Sequence, residues 1–393
     1  MKLKLIALSL LLAFTANLNA QTAITANKNL PIGVFDSGTG GLTVLEAMLR
    51  LDAYNNATGL LGADGKPDFS SEFFEYLADQ ANMPYGNYAA EKKTDLLKEH
   101  IFKNMQFLLQ SNNTKQSTKM IVLACNTATA YALSDIKAKF KAENIQVPVI
   151  GVIDAGAKAA LAYQAKAGAG TIGVFATAGT VASEGYPRTL QAMAKEKTLP
   201  VLSVVSQGGA GLAESIDRDW SYFVDTLTKA RNEYKGPSLK NNTYTIDTSL
   251  LSAYRFDTSS NKLLCEYDDK GSCLDMQLND PSNYVRYHLV SLLEKMIVSK
   301  ITKPMNTLIL GCTHYPLIKP QIDAYYKGSI PVIDTSIIVA EEIKRILTAE
   351  DMLHDGAEST RQFYVSDYTD SFEKSTQIFF GEAIKLTQYP IWD

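Results

Sequence analysis

The chain has 393 residues, 46% of them hydrophobic and 20% charged, with a formal charge of −4. This is the composition of a globular protein with room for two domains of ordinary size, and it holds no low-complexity tract. The mild acidity and the lack of a Lys/Arg-dense run exclude nucleic acid as a main partner.

The chain opens MKLKLIALSLLLAFTANLNAQT. Two lysines, an apolar stretch from about Leu5 to Ala16 and a small residue at Ala20 follow the order of a secretory signal peptide. The apolar part is too short for a comfortable membrane span. Residues 1–20 are therefore expected to be removed on export, most simply to a periplasm, leaving a chain with no stable membrane span.

Next come short apolar runs at 32–35, 120–124, 147–153, 171–175, 201–205, 308–310 and 330–333. They lack strict polar alternation, as strands buried on both faces of a parallel sheet do. Between them lie helical patterns at 41–51, 93–110, 129–143 and 155–167. The alternation predicts an α/β fold with mostly parallel sheets. Residues 51–72 are rich in Gly, Asn and Asp and read as a surface excursion. Residues 234–284 are polar, aromatic and turn-rich, with a hairpin expected around the Asp-Asp-Lys-Gly of NKLLCEYDDKGSCLDM.

In parallel sheets ligands collect beyond the carboxyl ends of the strands. Three segments fall there: DSGTGG after the first run, CNTAT from Cys125 and CTHYP from Cys312. The chain has no nucleophile elbow, no G-x-x-x-x-G-K-[ST] and no H-E-x-x-H, and none of its four histidines has metal-ligand spacing to another. No metal or cofactor is expected.

A strand-end thiol is often just a small hydrophobe. Two of them, one followed by Asn126-Thr127 and the other by Thr313-His314, ask for chemistry. A thiolate can remove a proton from carbon and a thiol can return one to the opposite face, inverting a stereocentre without a cofactor. Each would need a pKa near ambient pH, with Asp36 or His314 as the nearby acid or base. The glycines and hydroxyls of DSGTGG and CNTAT suit the carboxylate or ammonium group of a small substrate.

These residues resemble the cofactor-independent aspartate/glutamate racemase superfamily, glutamate racemase most closely. The matching segments are IGVFDSGTGGLTVL (32–45), YLADQANMPYGN (76–87), IVLACNTATA (121–130), VIGVIDAGAKAA (149–160), IGVFATAGTVASEGYPR (172–188) and LILGCTHYPLI (308–318). The resemblance implies two pseudo-symmetric α/β domains with the active site in the cleft between them. The first domain would be 31–148 completed by 318–393. The second would be 149–317 with an irregular insertion at about 234–284. It implies Cys125 and Cys312 as the acid/base pair, assisted by Asp36 and His314. Asp36, Ser37, Tyr85, Gly86, Asn126, Thr127, Thr313 and His314 would line the amino-acid site, with Thr177, Thr180 and Ser183 nearby. The substrate would be glutamate, with aspartate as the rival; the alternative of another class is a non-catalytic exported amino-acid-binding protein. The family supplies D-glutamate for peptidoglycan, and dimers are common in it.

The chain departs from the family in three ways. The usual Cys-Pro before the family's second-domain carboxylate is missing from SQGGAGLAESIDRD, so that role is open between Glu214 and Asp217. The chain is longer than a typical member, largely through the two irregular stretches. It also carries the export signal, and in an oxidising compartment Cys265 and Cys273 would be natural disulfide partners.

Overall fold

The structure is a computed structural model that describes residues 28–110, 117–168, 170–200, 202–356, 359–380 and 384–389. The expected signal segment lies outside the described residues. Within them the strands are, in chain order, β1 (Ile32–Asp36), β2 (Phe74–Ala78), β3 (Met120–Leu123), β4 (Val149–Gly151), β5 (Thr171–Ala176) and β6 (Ser203–Gly208). There follow β7 (Leu263–Tyr267), β8 (Cys273–Leu278), β9 (Met305–Gly311), β10 (Val332–Asp334), β11 (Arg361–Val365) and β12 (Leu386–Gln388).

Two parallel sheets organise the molecule. The first runs β12-β11-β2-β1-β3-β4 and the second β10-β9-β5-β6. Every residue of β1, β2, β3 and β5 is buried, which explains the largely apolar runs of β1, β3 and β5; β2 buries Glu75 among its apolar residues. Helices Leu42–Arg50 and Thr335–Ala349 cover one face of the first sheet through Leu45, Met48, Val339 and Ile343. Helices Thr94–Leu109 and Asn126–Ala142 cover the other through Ile101, Met105, Ala132 and Ile136. On the second sheet, Val152–Ala167 and Gly185–Glu196 pack on one side and Pro281–Val298 on the other.

The strand pairing differs from the sequence ranges at two places. Residues 149–151 close the edge of the first sheet against β3, and the predicted run through 153 stops early because helix Val152–Ala167 begins there. Gly151 makes the turn, where a Cβ would come within 2.4 Å of Thr129 Cγ2. Strand β10, read as part of the first domain, pairs with β9 in the second sheet. The helix after it, Thr335–Ala349, returns to the core of the first.

The excursion at 51–72 is a hydrogen-bonded loop, closed where the Ala53 and Tyr54 amides donate to the Asp68 carboxylate. In the region 234–284, β7 and β8 form the expected antiparallel hairpin, and a disulfide joins Cys265 to Cys273 with Cα atoms 5.5 Å apart. Ile246, Tyr254 and Leu278 dock this segment on the second sheet's core. Among the described residues no helix is long and apolar enough to cross a membrane.

Candidate active site

Strands β1 and β3 are neighbours in the first sheet, and β5 and β9 are neighbours in the second. Their carboxyl ends deliver Asp36-Ser37, Cys125, Thr177 and Cys312 respectively. The two sheets face each other at these ends around a cavity of about 160 Å³. Of the residues picked from sequence, Ser37, Tyr85, Gly86, Cys125, Asn126, Thr127, Thr177, Cys312, Thr313 and His314 line it. Asp36 and Thr180 do not; both are buried in the layer behind. Ser183 is also outside the lining, where its hydroxyl donates to the Thr180 carbonyl and accepts from the Gly185 amide.

Two close approaches hold the halves of this cavity together. At Gly179 a Cβ would come 2.5 Å from the Gly86 carbonyl oxygen, so the turn after β5 touches the loop after β2 backbone to backbone. At Gly40 a Cβ would lie 2.3 Å from Thr313 Oγ1 and 2.6 Å from His314 Nδ1. Alongside it Thr43 Oγ1 donates to the Thr313 carbonyl at 2.9 Å.

Cys125 is the N-cap of helix Asn126–Ala142, and its sulfur accepts from the Ala128 amide at 3.4 Å. Ser and Asp usually fill this position, and a thiol there meets the positive end of the helix. Ser37 Oγ lies 3.8 Å from the sulfur. Burial nevertheless dominates and, with the Asp36 carboxylate behind, pushes the Cys125 thiol up to about 12 against the opposing Ala128 and Ser37 contacts. Asp36 accepts from the Gly38 amide at 2.8 Å, and burial raises its carboxyl above the ordinary range. At neutral pH that value keeps Cys125 a thiol.

The second cysteine has a different neighbourhood. Cys312 Sγ lies 3.8 Å from His314 Nδ1, and His314 Nε2 lies 2.9 Å from Asp217 Oδ2. Thr39, from the loop after β1, donates to Asp217 Oδ1 at 3.0 Å and sits 3.3 Å from His314 Nε2. Burial alone would lower the histidine, but the Asp217 carboxylate and Cys312 together outweigh it and hold His314 well above its usual value. The result is a relay, Cys312–His314–Asp217, pinned from the opposite domain by Thr39. Of the two acids that the sequence leaves open, Asp217 is the one hydrogen-bonded to the histidine. Glu214 lines the cavity as well, and burial raises its carboxyl.

Polar groups for a ligand converge on the Cys125 side. Thr127 Oγ1 lies 3.2 Å from Thr177 Oγ1 and 3.1 Å from Thr180 Oγ1, and Thr177 caps the short helix Ala178–Ala182. Tyr186 Oη donates to Asn126 Oδ1 at 2.7 Å, which leaves the buried Asn126 Nδ2 without a protein acceptor among the described residues. A buried amide without a partner costs about 1–3 kcal/mol, and a ligand carboxylate would relieve it. Tyr85 is held by its hydroxyl on Asp79 Oδ2 at 2.5 Å. Among the described residues no group of three or more His, Cys, Asp or Glu side chains is placed to hold a metal ion.

Residues 82–231 match the family model described as Asp/Glu/Hydantoin racemase. The chain carries an Asp/Glu/hydantoin racemase domain. It is an isomerase of the racemase type. The glutamate racemase of Pseudomonas aeruginosa is 28% identical over 91% of this chain and 96% of its own length. That of Fusobacterium nucleatum is 25% identical over 93% and 99%. The fold is shared with the glutamate racemase of Bacillus anthracis (TM-score 0.62, 24% identity, 92% of this chain and 99% of that one). It is also shared with that of Francisella tularensis, solved in complex with D-glutamate (TM-score 0.56, 22% identity, 93% and 99%).

Sequence reasoning missed several lining residues of this racemase. Gly209–Gly211 follow β6 and were within reach of the strand-end rule. Tyr222, Lys235 and Tyr244 come from irregular chain beside and within the insertion, where no local pattern marks them.

Proposed function

We propose that the protein interconverts L- and D-glutamate by exchange of the α-proton between two cysteines. The observation that carries this reading is the pair of free thiols, Cys125 and Cys312, at matching strand ends of two facing sheets and lining one cavity. The α-carbon sits between the sulfurs. One sulfur, as thiolate, takes the α-proton and leaves a carbanion whose charge spreads onto the α-carboxylate. The other, as thiol, returns a proton to the opposite face, so one proton leaves, one arrives, and no oxidant or reductant is needed. His314 passes a proton to or from Cys312, and Asp217 fixes its orientation and charge. On the other side Cys125 donates as the thiol in one direction and abstracts as the thiolate in the other, with Ser37 beside it and Asp36 behind. Asn126 Nδ2 and the Thr127–Thr177–Thr180 hydroxyls bind the amino acid's polar groups.

Glutamate rather than aspartate is favoured by the named relatives at 28% and 25% identity over about nine-tenths of the chain. A pocket separates such homologues by only about 1–3 kcal/mol, so both acids belong in the test. The same reading has the protein exported and serving D-amino-acid metabolism of the cell wall. Its support is the order of residues 1–20 and the Cys265–Cys273 disulfide, a bond that persists in oxidising compartments. Circular dichroism of L-glutamate and L-aspartate solutions with the reduced protein tests the substrate. Decay of the glutamate signal to zero, faster than that of aspartate, is expected. A signal that stays constant for both acids would remove the reading.

A further inference from the structure

Typical chemistry of the cavity floor leaves one lining charge unused. Lys235 belongs to the inserted segment, yet it lines the same cavity as Cys125 and Cys312. Its ammonium has no hydrogen-bond or ion-pair partner among the described residues. The other charged groups that line the cavity are committed or weakened as anions. Asp217 is taken by His314 and Thr39, and burial raises the Glu214 carboxyl.

The backbone that presents Lys235 is held firmly. Its amide donates to the Ser221 carbonyl at 3.0 Å, and its carbonyl accepts from Asn241 Nδ2 at 3.3 Å. On one side Tyr234 Oη meets Tyr284 Oη at 2.7 Å. On the other, a Cβ at Gly236 would come within 2.3 Å of both hydroxyls, so only glycine lets the chain pass there. A lysine on a fixed backbone, with an unpaired head at a cavity mouth, is a preorganised anion site.

Which part of a substrate would reach it follows from depth. The sulfurs are buried, so the α-carbon, the ammonium and the α-carboxylate must lie inside. Lys235 both lines the cavity and is exposed, so it lies where the cavity meets solvent. Only the end of the side chain extends that far.

We propose that Lys235 is a specificity-determining residue that binds the side-chain carboxylate of a dicarboxylic amino acid, making the insertion part of the substrate site. This rests on the racemase reading for the identity of the ligand, but its test separates the two. D-Glutamate binding by calorimetry and racemisation kinetics are measured for the wild type, Lys235→Ala and Lys235→Arg. The expected result is a roughly tenfold rise in Kd and KM for Lys235→Ala, the size of one charge-assisted hydrogen bond at a partly solvated site. The value of kcat should stay within about twofold, and Lys235→Arg should recover most of the affinity. Unchanged Kd and KM in Lys235→Ala, with an active wild type, would overturn the proposal and leave the racemase reading standing. A fall in kcat at constant KM would also overturn it. Binding that weakens in Lys235→Ala although the wild type never racemises would uphold the lysine and remove the racemase reading. A wild type that binds neither glutamate nor aspartate would remove both.

Discussion

Replacing Asp217 by Asn tests the relay beside Cys312. The His314–Asp217 pair is 2.9 Å long, with side chains only 10% and 22% exposed. A charge-assisted hydrogen bond in such a place contributes about 1.5–3 kcal/mol. Asparagine keeps the shape and one hydrogen bond but removes the charge, so roughly half of that, about 0.8–1.5 kcal/mol, should be lost where His314 is charged. If that charge acts in the transition state, kcat/KM falls about four- to twelvefold. L- and D-glutamate have equal free energies in water, so the loss must be the same in both directions. Stability should follow the same group. The folded histidine has a raised pKa, so the pair stabilises fully below the ordinary value of about 6.5, and the benefit fades as pH rises through the folded value. The Tm gap between wild type and Asp217→Asn is therefore largest near pH 6 and closes in alkali. Equal kcat/KM for the two proteins, or a Tm gap that widens with pH, would refute the relay.

Cys125 should resist alkylation. A thiol raised to about 12 has roughly a thousandth of the thiolate of one at 9.0 when both are at pH 8, so labelling by iodoacetamide followed by peptide mass should be slower by at least that factor. Labelling of Cys125 at the rate of a free cysteine would contradict its burial. Gly40→Ala places a methyl against Thr313 and His314, and should cut kcat at least tenfold while far-ultraviolet circular dichroism stays unchanged. Full activity in that variant would mean that the two loops are not in register. Replacing Cys265 and Cys273 by Ser opens a loop of sequence separation 8 and should destabilise the insertion by about 2.5 kcal/mol, read as faster amide exchange in 234–284. Equal exchange in the two proteins would argue against a bridge.

Much of this site was legible because parallel sheets put function at strand ends. Cys125 and Cys312 stand out by that rule alone, as buried apolar runs that end in a thiol and then a polar pair. Other features depend on contacts no local pattern records. Asp217 looks like any acid on a short helix until Thr39, from the other sheet, meets it and His314. Strand β2 carries a buried Glu75 in FEYLA, and β11 opens Arg-Gln, so neither reads as a buried parallel strand. The end of β4 at Gly151 is not legible because the apolar run continues from strand into helix without a polar break. Lys235 lies in a turn-rich stretch whose composition reads as surface, and only its tertiary packing brings it to the cavity.

The central claim is that two thiols work on opposite faces of one carbon. Proton NMR of L-glutamate in deuterium oxide with wild type, Cys125→Ser and Cys312→Ser tests it most directly. Loss of the α-proton signal with appearance of the D-isomer in the wild type, and loss of racemisation in each variant, is the predicted result. Undiminished racemisation by either serine variant would contradict it.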